Sequence, residues 1–177
     1  MEKEHCYVIT GGPGAGKTTL LHALKEKYNY VDEVARTIIQ EEMARNGTAL
    51  PWADKVLYRD IMLERSIATF SKATNNCVTF FDRGIPDVVA YTLLIGTQVT
   101  PQLHEAASQN RYNKQVFILP PWKEIYCTDT ERKQDFDEAI KTYEVLCDVY
   151  EQYGYHLIQV PFLPVKQRAA FIELSIL

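Results

Sequence analysis

Gly11, Gly16, Lys17 and Thr18 fit the spacing G-x-x-x-x-G-K-[ST] inside the stretch YVITGGPGAGKTTLLHAL, Tyr7 to Leu24. The chemistry of that spacing is phosphate capture. Glycines let the backbone double back so that successive N–H groups face phosphate oxygens, and the N-terminus of the following helix adds partial positive charge. Lys17 can reach the outer phosphates, and the Thr18 hydroxyl is a hard oxygen donor suited to Mg2+. The residues expected to line the cradle are Gly12, Pro13, Gly14, Ala15, Gly16, Lys17, Thr18 and Thr19, and the ligand they imply is ATP with Mg2+.

A cradle alone names no reaction, so the groups able to converge on it matter next. In open α/β sheets ligands sit beyond the carboxyl ends of the strands, which makes residues just after each strand the candidates. In FFDRG, Asp82 can hold Mg2+ through water while Arg83 offers a planar fork to phosphate or substrate. In VDEVARTII, Glu33 and Arg36 share a face at a helix start. One could accept the proton of a substrate hydroxyl and the other neutralise a transferring phosphoryl group, although an ordinary surface pair would have the same spacing. The polar insert PPWKEIYCTDTERKQDF supplies Asp129, Arg132 and Lys133, and Arg132 is the candidate for a charge-stabilising cation delivered by closure of a lid over about residues 121–134.

These groups must be positioned by elements, and strand-like and helix-like patterns alternate along the chain, the signature of an α/β fold with a parallel sheet. Strands are expected at Cys6 to Thr10, Tyr28 to Val31, Cys77 to Phe81, Gln115 to Leu119 and His156 to Val160. Helices are expected at Lys17 to Lys27, Val34 to Arg45, Trp52 to Lys72, Pro86 to Ile95, Pro101 to Asn110, Phe136 to Tyr153 and Val165 to Leu174. Thr100 is the expected N-cap of the fifth, and Asp135 with Glu138 a variant capping box for the sixth. The sixth also carries an apolar stripe of Phe136, Ala139, Ile140, Tyr143, Leu146, Cys147, Tyr150 and Tyr153.

With 177 residues, a single domain spanning 1–177 is expected, and 46% apolar with 24% charged residues is the composition of a globular chain. Nineteen basic against 23 acidic residues give a net charge of -4, with the basic ones scattered, so neither a nucleic-acid face nor a membrane-binding face is expected. Cys6, Cys77, Cys127 and Cys147 form no C-x-x-C pair and are expected to be buried free thiols rather than zinc ligands or disulfides. MEKEHCYVIT lacks a signal-peptide core, which makes the cytoplasm the expected compartment.

The ordered set GGPGAGKTT, DEVARTII, LPW, FFDRGIPDVVAY, PPWKEIY, the Asp129 to Arg132 spacing, and YGYHLIQVP with Arg168 downstream resembles the P-loop family of AAA-type ATPases that includes the nicotinamide-riboside kinase domain of NadR. The resemblance covers nearly the whole chain. It implies a P-loop NTPase three-layer sandwich, a five-stranded parallel sheet in the order 2-3-1-4-5 flanked by helices, as in nucleoside and nucleotide monophosphate kinases. By the same likeness Glu33 corresponds to the acidic residue that contacts the acceptor hydroxyl, Asp82-Arg83 to the acidic-Arg pair after the third strand, and Arg132 to a lid arginine. Pro161 to Val165 falls where such kinases enclose adenine.

Two functional classes follow from the residues and the resemblance together. One is a small-molecule kinase that moves the γ-phosphoryl group of ATP to a nucleoside-like or other hydroxyl acceptor. The other is a nucleotide-dependent regulatory module with slow hydrolysis, using the 84–112 region as a partner surface. A GTP-specific switch fits less well, because NKQV at Asn113 to Val116 lacks the acid of a base-reading N-K-x-D. A deep pocket between the Glu33 helix, Trp52 and the Pro86 to Tyr91 helix would speak for the kinase; Trp52, Tyr91 and Trp122 could stack a ring or simply pack.

Overall fold

The computed structural model describes residues 2–126 and 136–176. Its strands are β1 (Cys6–Gly11), β2 (Asn29–Val31), β3 (Thr79–Asp82), β4 (Gln115–Leu119) and β5 (His156–Gln159). The helices are α1 (Lys17–Lys25), α2 (Val34–Ala44), α3 (Lys55–Lys72), α4 (Ile85–Leu94), α5 (Pro101–Gln109), α6 (Phe136–Gln152) and α7 (Val165–Ser175). The sheet order is β2-β3-β1-β4-β5 and every pairing is parallel. This is the expected order.

Side-chain alternation along the central strands explains why the sheet is covered on both faces. Cys6 and Val8 of β1, Phe81 of β3, and Val116 and Ile118 of β4 join a core with α2, α3, α4, α5 and α6 residues. Tyr7 and Ile9, Phe80, and Phe117 and Leu119, each one position along, join the core with Leu20, Leu21 and Leu24 of α1 and Ile172 of α7. Three layers result.

The third helix begins at Lys55 rather than Trp52, because Asp54 accepts a 2.9 Å hydrogen bond from Leu57 N and caps it there. The third strand begins at Thr79, later than the apolar run CVTFF suggests, which leaves Cys77 exposed in the preceding loop. Of the described cysteines only Cys6 is buried, Cys147 being intermediate; Cys127 and Asp135 lie outside the described residues. Thr100 caps α5 as expected, through a bond from Leu103 N. In α6, Ala139, Leu146 and Tyr150 of the stripe are buried, together with Val149 beside it. Among the described residues no helix is long and apolar enough to cross a membrane.

β1 has β3 on one side and β4 on the other, although the chain reaches β4 only after building β2 and β3. The connections leaving β1 and β3 thus diverge at the point where the strand order reverses, and it is there that open α/β sheets leave a crevice for a ligand.

Candidate functional site

The loop leaving β1 carries two glycines in the left-handed region, Gly14 at φ 76° and Gly16 at φ 78°, the second being the N-cap of α1. That conformation turns consecutive N–H groups toward one point. Space is also short: a Cβ on Gly14 would strike the Tyr126 ring, and one on Gly16 would lie 3.0 Å from Ile125 Cδ1 and 3.1 Å from Arg168 Nη1. The 3-10 turn Lys123–Ile125 therefore lies against the glycines of the cradle. Thr18 and Thr19 are exposed on the first turn of α1, whereas Lys17 is buried.

Lys17 pairs with Asp82 at the end of β3, which brings the cradle and the FFDRG turn together. Burial pushes the Asp82 carboxyl above its ordinary range, and the Lys17 ammonium opposes that shift without cancelling it. The next residue, Arg83, has φ 72°, a left-handed conformation that costs a side-chain-bearing residue on the order of 1 kcal/mol or more. Carboxylates on both sides of its guanidinium hold it there. Nε donates to Glu33 Oε1 at 2.6 Å, and Nη1 donates to Asp87 Oδ1 at 3.0 Å.

Asp87, on the first turn of α4, is the hub of this arrangement. Its Oδ1 also accepts from Thr10 Oγ1 at 2.5 Å, and its Oδ2 accepts from Tyr150 Oη at 2.5 Å and from Gly84 N at 2.8 Å. Strand β1, helix α6 and the start of α4 are joined through one buried carboxylate, so the Arg83 fork is held by three elements. Burial would raise the Glu33 carboxyl, but the Arg83 and Lys17 cations outweigh it and hold that group at about 2. Glu33 stands at the N-cap of α2 without capping it, because its oxygens face the guanidinium instead.

Of the residues expected at the site, Lys17, Glu33, Asp82 and Arg83 thus form one network at the carboxyl ends of β1 and β3. Arg36 reaches it only from the rim, with its Nε 3.8 Å from Glu33 Oε2 and its side chain 58% exposed. Asp129, Arg132 and Lys133 lie outside the described residues. Trp52 is 64% exposed and lines neither of the two described cavities. Tyr91 does pack, edge to face against Tyr58 at 5.6 Å between ring centroids, and its hydroxyl is buried without a hydrogen-bond partner among the described residues. The two cavities described, about 450 and 230 Å3, lie elsewhere and share His104, Gln152 and Tyr153.

Among the described residues no cluster of three or more His, Cys, Asp or Glu side chains could hold a metal by itself. Mg2+ needs no such cluster, since it keeps several waters and takes one or two protein oxygens plus phosphate oxygens. The exposed Thr18 hydroxyl and the Asp82 carboxylate fit that donor set, and the glycine cradle fits a phosphate chain.

Three residues of the site escape the motif. Asp87 is visible within FFDRGIPDVVAY as an acid one helical turn beyond Arg83, a spacing that signals a pair. Arg168 sits on one face of α7 with Ala169 and Ile172, an apolar face on which a lone arginine is the anomaly. Tyr150 gives no signal, because a tyrosine on the apolar stripe of α6 reads as packing.

A profile described as an AAA domain matches residues 6–168. No curated protein matches the chain. Among solved structures, the NadR protein in complex with NR superposes with a TM-score of 0.73 at 18% identity, covering 98% of this chain and 51% of that one, so the chain spans about half of NadR's length. Deoxyadenosine kinase from M. mycoides, with dCMP and dCDP bound, gives 0.66 at 17% identity over 96% of this chain and 97% of that one. Thymidylate kinase from Ehrlichia chaffeensis gives 0.64 at 15% over 97% of each. At these identities the likeness is one of fold.

Proposed function

The chain belongs to the AAA domain family, and on that premise we propose that it is a small-molecule kinase transferring the γ-phosphoryl group of ATP to a hydroxyl of a nucleoside-like acceptor. The observation that carries the proposal is the Glu33–Arg83–Asp87 array beside the Lys17–Asp82 pair. A protein that only binds nucleotide needs the cradle; it has no use for an anion and a cation fixed against each other at the acceptor side. The neighbours solved as kinases lend the fold-level analogy.

Bound ATP with Mg2+ supplies the transferable phosphoryl group and neutralises part of its charge. The backbone from Gly12 to Thr19 would hold the phosphates, and Thr18 and Asp82 would hold the metal. Lys17 and Arg83 spread positive charge over the cradle side and the acceptor side of the phosphate chain. Glu33 accepts a hydrogen bond from the acceptor hydroxyl and orients it, with Arg36 at the entrance. We take the molecule as one domain in which residues 121–134, including Arg132, close over the nucleotide and exclude water.

ADP formation by purified protein tests this, across nucleosides, nicotinamide riboside and related sugars, with Lys17→Ala as control. Acceptor-stimulated release with a phosphorylated product by mass is the expected result. Release indifferent to every acceptor would leave the second reading, a regulatory module with slow hydrolysis, which the exposure of Trp52 favours.

A further inference from the structure

Arg168 is 4% exposed, and its buried surroundings supply no countercharge among the described residues. Its Nε has no hydrogen-bond partner among the described residues. Nη1 donates to the carbonyl oxygen of Ala15 at 3.5 Å, the outer limit of a hydrogen bond. The guanidinium points at the cradle: Nη1 and Nη2 lie 3.1 and 3.3 Å from where a Cβ on Gly16 would stand, at the residue that opens α1. Trp122 covers it, with the guanidinium carbon 5.4 Å from the ring centroid.

An arginine in this condition does not stabilise the fold. Taking a guanidinium out of water costs several kcal/mol, and one long bond to a carbonyl together with a cation-π contact of about 1–2 kcal/mol does not offset that. Arginine keeps its charge even where burial lowers its pKa, as it does here, so its surroundings favour an anion that compensates it. Lys17, the other buried cation of the cradle, already has Asp82. Arg168 stands, with no acid paired to it among the described residues, beside the helix N-terminus that the glycine loop presents to phosphate.

We infer that Arg168 is a phosphate-binding cation of the nucleotide site, carried by α7, compensated by the polyphosphate chain of the nucleotide and shielded from water by Trp122. This rests on the nucleotide-binding reading above and adds a residue outside the glycine-lysine motif. It also gives α7 a part in ligand binding. The docking of α7 against α1 becomes coupled to the charge in the cradle.

The test is displacement of a fluorescent ATP analogue by ATP and by inorganic tripolyphosphate, in the wild type, Arg168→Met and Arg168→Lys, with thermal unfolding of each protein without nucleotide. Loss of one charge at this range in a partly screened site predicts that Arg168→Met weakens both ligands about tenfold or more, and equally. Arg168→Lys, which keeps the charge, should stay within about threefold of the wild type, and Arg168→Met should melt no lower than the wild type without ligand. A Met variant that binds ATP as the wild type does would overturn the inference and leave the kinase proposal standing. So would a loss confined to ATP, which would assign the residue to the base, or equal losses in Met and Lys, which would assign it to packing. A wild type with no affinity for either ligand would remove the nucleotide reading itself, and the inference with it.

Discussion

Arg83 Nε and Glu33 Oε1, from residues 50 positions apart in the chain, meet at 2.6 Å, and the Arg83 charge, together with that of Lys17, outweighs burial and holds the Glu33 carboxyl at about 2. An acid held there is an anion throughout the neutral range and a poor sink for a proton. It can still accept a hydrogen bond and fix the direction of a hydroxyl, which is most of what a loose phosphoryl-transfer transition state requires of the protein. In the kinase proposed above, Glu33 would thus serve as an orienting group more than a general base.

The same pairing makes stability depend on pH. Because the folded-state value lies below the unfolded one, Glu33 contributes stability above about pH 4.3, and that contribution is lost as pH falls toward 2. A depression from 4.5 to about 2 corresponds to roughly 3 kcal/mol. Asp82, shifted upward by burial, works in the opposite sense. Denaturant melts of wild type and Glu33→Gln at pH 7 and pH 3 isolate the Glu33 part: the difference between the two proteins should shrink at the lower pH. A constant difference would mean that the Glu33 charge carries none of it.

Glu33→Gln should reduce acceptor-dependent turnover by about 100-fold, the cost of leaving a reacting hydroxyl misplaced, and leave ATP affinity within about twofold. Steady-state kinetics beside ATP titration separate the two. Equal turnover would reduce Glu33 to a partner of Arg83.

Lys17→Ala removes the phosphate-binding ammonium, but it also strands the buried Asp82 carboxylate. Removing one partner of a buried pair costs about 3–5 kcal/mol. The single variant should melt well below the wild type, and Lys17→Met combined with Asp82→Asn should recover most of that loss while binding no ATP. Calorimetry with ATP titration checks both halves, and retained ATP affinity in the double variant would sink the cradle assignment.

Tyr150→Phe removes one acceptor bond from the carboxylate that holds Arg83. A hydrogen bond to a charged group contributes about 1.5–3 kcal/mol, so stability should fall by about that much. If Asp87 positions Arg83 for the reaction, kcat should fall as well while ATP affinity holds. A stability loss with unchanged kcat would make Asp87 a packing hub only.

Gly14→Ala places a side chain at φ 76° and into the Tyr126 ring. The backbone alone costs about 1–2 kcal/mol. Its larger effect should be on ligand binding, with ATP affinity down about tenfold or more from displacement of the N–H groups. Unchanged affinity would show that the loop tolerates a shift there.

How much of this was legible in the sequence depended on whether a signal was local. Gly11 to Thr18 declare a phosphate loop because one turn of backbone needs those residue types in that order, and the alternating apolar runs declare a parallel sheet because burial on both faces leaves no polar side. Helix and strand limits came within a few residues for the same reason. The strand order and three-layer architecture, implied by resemblance, are what the structure has. What the residues could not tell by spacing was which of two local meanings Glu33 has, a cap at a helix start or a ligand-facing acid. That was decided by Arg83, whose position comes from β3 packing beside β1. Tyr150 and Arg168 belong to the same class, since each is set apart by a partner more than 60 positions away or, among the described residues, by the lack of one; for Asp87 the pairing with Arg83 was legible, but its bonds to Thr10 and Tyr150 were not. Short-range propensity and periodicity fix the elements, while a charge becomes functional only through its neighbours in space, and those are set by the order in which the strands assemble.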